Sequence, residues 1–255
     1  MSSTAKGFSA FLNRIAGKPS KPKFVSAVIL AGGSSTRMGE GVSKQWLTLD
    51  GIPVIARTLM TFEACDLIRE IVLVARESEL PRYEALKETY GITKLTAIVA
   101  GGDDRKASAK NGFYAVSEKA TYVAIHDGAR CLVTVEEIER VCRAAFVSDA
   151  AAAATRVTDT VKIVSSNGFV EKTVDRNTVW LAQTPQVFGT ALYHAAVAIA
   201  DRDKISVTDD CSLVEHIKHP VRLVPCSPDN MKLTVPEDIG RAAAILAQRK
   251  KEKTI

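Results

Sequence analysis

The sequence lacks the marks of several large protein classes. No apolar run approaches the roughly 18 residues a membrane helix needs, so no span is expected. Five cysteines (Cys65, Cys131, Cys142, Cys211 and Cys226) are odd in number and form no Cys-x-x-Cys pair. That argues against a disulfide framework or a zinc site and for a reducing compartment, here the cytoplasm. Neither common phosphate-loop string is present: no Gly-x-x-x-x-Gly-Lys-Ser/Thr, and no Gly-x-Gly-x-x-Gly in which glycines alternate. Residues 1–23 contain no acid, and their five cations account for the whole net charge of +5. From Phe24 onward basic and acidic residues balance, unlike the basic face of a nucleic-acid binder.

What is present fits a single globular domain. The 255 residues are 46% hydrophobic and 25% charged, enough for one large α/β unit over 24–255. The basic extension 1–23 reads as a flexible tail; Phe8, Phe11, Leu12 and Ile15 have helical spacing, and GKPSKPK reads as a linker. An acid-free start also permits an organelle transit peptide. Beyond it, strand-like runs at 25–30, 70–75, 95–100, 122–125 and 150–155 alternate with helical segments. One follows a short strand and a Gly51-Ile52-Pro53 turn, with proline near its start; the others are at 81–90, 104–118 and 135–146. This regularity predicts a Rossmann-like, mostly parallel sheet with helices on both faces. Ligand groups then gather at the carboxyl ends of the strands. The alternation breaks near 157–177, where strand-like runs flank Ser165-Ser166-Asn167-Gly168, a hairpin signal. Too few apolar residues line this arm for it to stand alone. The expected remainder is a segment at 180–188, helices at 190–200 and 209–216, a strand at 221–224 and a last helix at 236–249.

Residues 26–45 organise the rest. An apolar strand empties into a glycine- and serine-rich loop carrying Gly32 and Gly33, then Arg37, Gly39, Gly41 and Lys44. Glycines let consecutive N–H groups approach one anion, and the two cations add charge-assisted bonds to phosphate. An ordinary strand-to-helix turn is the alternative. Later signals are weak singly. Gly102, Asp103, Asp104 and Ser108 fit either a ligand contact or a helix cap. Asp127 fits a divalent-cation ligand or a cap, Arg130 a ligand contact or an ion pair, and Arg176 and Lys232 ordinary surface charges.

The loop resembles the signature of sugar-phosphate nucleotidyltransferases through Ala31, Gly32, Gly33, Arg37, Met38, Gly39, Lys44 and Gln45. In chain order, LAGGSSTRMG with SKQ, VAGGDDRKAS, HDGAR, VTDTVK, VDRNTVWLAQTPQVF, TDDCSLVE and DNMKLTVPEDI resemble the 2-C-methyl-D-erythritol 4-phosphate cytidylyltransferases, from about Val28 to Ile239. The ribitol-5-phosphate cytidylyltransferases share QTPQ but usually differ in the stretch before it. The resemblance implies transfer of a cytidylyl group from CTP to the 4-phosphate of methylerythritol phosphate, releasing pyrophosphate, with Mg2+ or another divalent cation as cofactor. It implies that Arg37 and Lys44 stabilise the α-phosphorus and leaving pyrophosphate, and that Arg176 and Lys232 hold the acceptor. Ala31, Gly32, Gly33, Gly102, Asp103 and Ser108 would meet CTP, Asp127 the metal, and Thr160 and Arg130 the acceptor. It also implies a homodimer in which the arm of one subunit completes the acceptor site of the other.

Ser43, Gly128 and Cys131 depart from the family's usual proline, alanine and proline. Cys131 beside Arg130 reads as either a reactive thiol or a buried small hydrophobe. A nucleotide-binding protein without catalysis is a further alternative, opposed by the four retained cations. The length leaves no room for a fused cyclase after the last helix.

Overall fold

The computed structural model describes residues 23–33 and 43–254. The expected features of the tail before Lys23, and Arg37 in the signature loop, lie outside the described residues.

Strand β1 (Val25–Leu30) turns Val25, Ala27 and Ile29 to one buried cluster and Val28 to another. A strand covered on both faces needs apolar residues throughout. The exception, Ser26, donates to the buried Glu70 carboxylate. A 3-10 turn (Lys44–Trp46) leads to two short strands, β2 (Thr48–Leu49) and β3 (Ile52–Pro53). Their turn residues, Asp50 (φ 53°) and Gly51 (φ 74°), both occupy the left-handed region. Pro53 caps helix α1 (Val54–Ala64). There follow β4 (Ile68–Ala75), α2 (Leu80–Thr89), β5 (Leu95–Ala100), α3 (Arg105–Tyr114), β6 (Tyr122–Asp127), α4 (Val135–Ser148) and β7 (Ala150–Arg156). The arm strands β8 (Lys162–Val164) and β9 (Val170–Thr173) precede β10 (Trp180–Gly189), α5 (Thr190–Arg202), α6 (Asp210–His216), β11 (Arg222–Pro225) and α7 (Glu237–Thr254).

Seven strands form one sheet in the order β11-β7-β10-β6-β1-β4-β5. Every pairing is parallel except the two made by β10, which runs against β6 and β7. Helices α1, α2 and α4 cover one face through Phe62, Tyr83 and Val141; α3, α5 and α6 cover the other through Phe113, Tyr193 and Leu213. Helix α3 lies unusually close to the sheet, since a Cβ on Gly112 would fall 2.3 Å from Val28 Cγ1 and 2.6 Å from Val74 Cγ2. This α/β architecture is the expected one. Helix α3 is shorter than the expected 104–118, because the Ser117 N–H leaves the helical pattern to donate to Glu70 Oε2 at 3.0 Å.

The arm is a two-stranded hairpin, separate from the main sheet. Asn167 does not take the left-handed conformation that a tight Asn-Gly turn requires. Only Gly168 does, at φ 86°, in a wider turn closed by Gly168 N–H to Ser165 O at 3.0 Å and Ser165 N–H to Phe169 O at 2.9 Å. Ile163, Val164, Phe169 and Val170 are all exposed, Phe169 by 72%.

Candidate active site

The chain leaves β1 for β4 and β5 on one side of the sheet, then crosses back to β6 on the other. Such a reversal opens a crevice at the carboxyl ends of the two central strands. A cleft of about 390 Å³ lies there, lined by Gly32, Gly33, Lys44, Gln45, Arg76, Gly102, Asp103, Asp104, Arg105, Ser108, Asp127 and Lys232, with Leu30 and Ala129. Ala31, at the stem of the signature loop, donates its N–H to Val74 O at 2.7 Å. Arg76 fixes the same stem from β4, its Nη2 donating to Gly33 O at 2.7 Å. Gly102 N–H donates to Ser108 Oγ at 3.1 Å, folding the strand end onto α3, whose N-cap is Asp104. Lys44 is buried and donates to Leu233 O at 3.1 Å, which joins the 3-10 turn to the segment carrying Lys232.

Asp127 is the electrostatic centre. Lys232 Nζ lies 2.9 Å from Oδ2, Arg130 Nε 3.6 Å from Oδ2, and Arg105 Nε 3.5 Å from Oδ1. Burial alone would push this carboxyl up, but the charges of Lys232, Arg105 and Arg130 outweigh it and hold the group well below the carboxylate range. Asp127 therefore stays ionised. Among the described residues no three His, Cys, Asp or Glu side chains converge as a metal cage. An ionised hard oxygen in an open cleft instead fits Mg2+ that shares its coordination with substrate phosphates.

Strand β10 holds this centre through QTPQ, a string whose individual roles were not apparent in the sequence. Thr184 Oγ1 accepts the Asp127 N–H at 3.0 Å and lies 3.0 Å from His126 Nδ1. His126 Nε2 lies 3.3 Å from Arg130 O, an acceptor, so the network assigns the imidazole proton to Nε2 and the Thr184 proton to Nδ1. Gln183 Oε1 and Thr184 O accept from Asn230 Nδ2, while Asn230 O accepts from Arg130 Nη1 at 2.8 Å. Gln186 Oε1 accepts the N–H groups of Asp210 and Cys211. One reversed strand thus ties HDGAR, TDD and DNMK to the same cleft.

Of the expected residues, Gly32, Gly33, Lys44, Gly102, Asp103, Ser108, Asp127 and Lys232 line the cleft, and Ala31 and Arg130 adjoin it through the contacts above. Arg176 and Thr160 stand outside it on the exposed arm, with Arg176 Nη1 donating to Thr158 O at 2.9 Å. Arg76 and Arg105 are further cleft cations; Arg105 closes the Gly101-Gly102-Asp103-Asp104-Arg105 string, whereas Arg76 carries no sequence signal beyond its place after a strand end. Cys131 is buried, and burial pushes its thiol up to about 11, so the buried-hydrophobe reading holds and the reactive-thiol reading falls.

Residues 25–248 match the family model for IspD, 2-C-methyl-D-erythritol 4-phosphate cytidylyltransferase. The enzyme of that name from Syntrophus aciditrophicus is 43% identical over 227 residues, spanning 89% of this chain and 97% of its own. The one from Geobacillus kaustophilus is also 43% identical over 227 residues, spanning 89% and 98%. The crystal structure of 4-diphosphocytidyl-2C-methyl-D-erythritol synthase from Anaerococcus prevotii superposes with a TM-score of 0.80 at 31% identity, covering 88% of this chain and 96% of that one. By family model, relatives and fold alike, the chain belongs to the 2-C-methyl-D-erythritol 4-phosphate cytidylyltransferase family.

Proposed function

We propose how this chain's residues perform the reaction of its family, transfer of the cytidylyl group from CTP to 2-C-methyl-D-erythritol 4-phosphate in the non-mevalonate isoprenoid pathway. A 4-phosphate oxygen attacks the α-phosphorus of CTP in line. As that P–O bond forms, the bond from the α-phosphorus to the β-bridging oxygen breaks, and the electron pair leaves with pyrophosphate. The nucleophile is already ionised, so no general base is needed and catalysis rests on positioning and charge neutralisation. The observation that carries this reading is the convergence of Lys44, Arg130 and Lys232 with Asp127 at the end of β6, beside the glycine turn and Ser108.

In this scheme Gly102, Asp103 and Ser108 meet the cytidine, Gly32 and Gly33 turn the loop backbone to the phosphates, and Ala31 holds the stem of that loop against β4 through its N–H bond to Val74 O. Arg37 and Lys44 neutralise the α-phosphorus and the leaving group. Lys232 and Arg130 stay on Asp127 Oδ2 and meet the acceptor phosphate with their remaining N–H groups. Asp127 would hold Mg2+ together with the triphosphate, and the ion would withdraw charge from the phosphate oxygens. Arg176 and Thr160 reach the acceptor from the arm of a second copy, a reading supported by the uncovered apolar side chains of the hairpin. Five free, buried cysteines accord with a cytoplasmic enzyme.

Pyrophosphate release with CTP and Mg2+, offering methylerythritol phosphate and ribitol 5-phosphate separately, tests the reading. Turnover with the first alone is expected; turnover with the second alone would transfer the chain to the ribitol enzymes. Lys44→Ala should lower turnover a hundredfold or more, about 3 kcal/mol of transition-state stabilisation. An unchanged rate would remove Lys44 from the chemistry.

A further inference from the structure

Arg105 sits between two carboxylates. Its Nη1 lies 2.6 Å from Asp210 Oδ2, whereas its Nε lies 3.5 Å from Asp127 Oδ1, beyond hydrogen-bond reach. Asp210 does not line the cleft. It is buried at the start of α6, accepts the Tyr193 hydroxyl at 2.5 Å, and donates its own N–H to Gln186 Oε1 at 2.9 Å. Gln186 is held in turn by donating Nε2 to Asp209 Oδ2 at 2.8 Å. The carboxylate is thus fixed from two sides, and it fixes the guanidinium. Burial opposes the Arg105 charge, but Asp210 and Asp127 more than offset it and raise its pKa.

A guanidinium facing a single carboxylate closes into a short, often bidentate pair. Here the stronger contact belongs to Asp210, which draws Arg105 away from Asp127. The other Asp127 oxygen, Oδ2, already carries Lys232 and Arg130. Oδ1 is therefore the oxygen whose availability depends on where Arg105 is held.

We propose that Asp210 is a positioning residue: by anchoring Arg105 it keeps Asp127 Oδ1 open to the divalent cation that accompanies the nucleoside triphosphate. The proposal rests on Asp127 being the acid that meets the cation. Removing the Asp210 charge lets Arg105 close on Oδ1 and compete with the ion. Removing Arg105 as well abolishes the competition, so the effect of Asp210 must pass through Arg105.

Mn2+ binding to the full chain in the presence of CTP, read from the free-ion electron paramagnetic resonance signal, tests this without reference to turnover. Asp210→Asn should weaken Mn2+ about tenfold, within the range of outer-shell partners of metal ligands. Arg105→Met and the double variant should bind Mn2+ at least as tightly as the parent, a non-additive cycle. Equal losses in Asp210→Asn and in the double variant, or no loss in Asp210→Asn, overturn the proposal. Should Asp210→Asn fail to fold, as its melting curve would reveal, the double variant removes both buried charges and decides alone: weakened Mn2+ binding there overturns the proposal. Asp127→Asn separates the two layers. Unchanged Mn2+ affinity in that variant removes Asp127 as the cation's acid, whereas a loss there beside an intact Asp210→Asn overturns the positioning role only.

Discussion

A methyl group on Gly128 would lie 2.8 Å from Ile55 Cδ1, 3.1 Å from the Leu30 carbonyl oxygen and 3.2 Å from Gln45 Oε1. The alanine that the resemblance implies at this position would be crowded, because Ile55 already fills the space beneath the HDGAR turn. Gly128→Ala should therefore cost about 1–3 kcal/mol through overpacking, read as a lower denaturation midpoint. Ile55→Val removes Cδ1, and the double variant should recover part of that loss; simple additivity of the two costs would show that Ile55 is not the obstacle. Residue identity alone did not reveal this pairing, since positions 55 and 128 meet only in the folded chain. Lys44, Asp127 and Lys232 were legible for the opposite reason. Charged side chains at strand and loop ends stand out against an apolar background, and the cleft collects them. Asp210 and Gln186 were not, because a buried polar side chain is explained by its partners rather than by its own string.

At the scale of elements, β6 and β10 are joined by a proton-specific lock. Burial pushes His126 down to about 3, and its neutral ring both accepts from Thr184 and donates to Arg130 O. In the unfolded chain histidine takes a proton near pH 6.5. Between about pH 6.5 and about 3 the unfolded chain binds one more proton at this residue than the folded one, so stability falls as pH drops through that window. The contribution is fully present above pH 6.5. Urea denaturation at pH 7, 6 and 5 should show it as a slope of up to about 1.4 kcal/mol per pH unit that His126→Asn lacks. Equal slopes in both proteins would mean that His126 is not buried neutral. Strand positions were readable from apolar runs to within a residue or two, but the direction of β10 was not. Its pattern is that of any buried strand, and only its pairing with β6 and β7 reveals the reversal. The turn at Gly168 shows the same limit: Asn-Gly announced a hairpin, while its width came from the bonds across Ser165 and Phe169.

The whole molecule presents a cleft with Lys44 and Lys232 in it and an arm with Arg176 and Thr160 outside it. Along the hairpin Ile163, Val164, Phe169 and Val170 are solvent-facing, an apolar surface that a second copy would cover. On the proposed reading, an active site takes its cleft from one chain and its arm from another. Mixing Lys44→Ala chains with Arg176→Ala chains tests it directly, with pyrophosphate release from CTP and methylerythritol phosphate as the readout. Each variant alone should be nearly inactive, whereas subunit exchange at equal amounts should restore about one quarter of the parental activity, since half the dimers are mixed and each mixed dimer carries one intact site. Activity that stays at the level of the separate variants after full exchange would contradict the shared site.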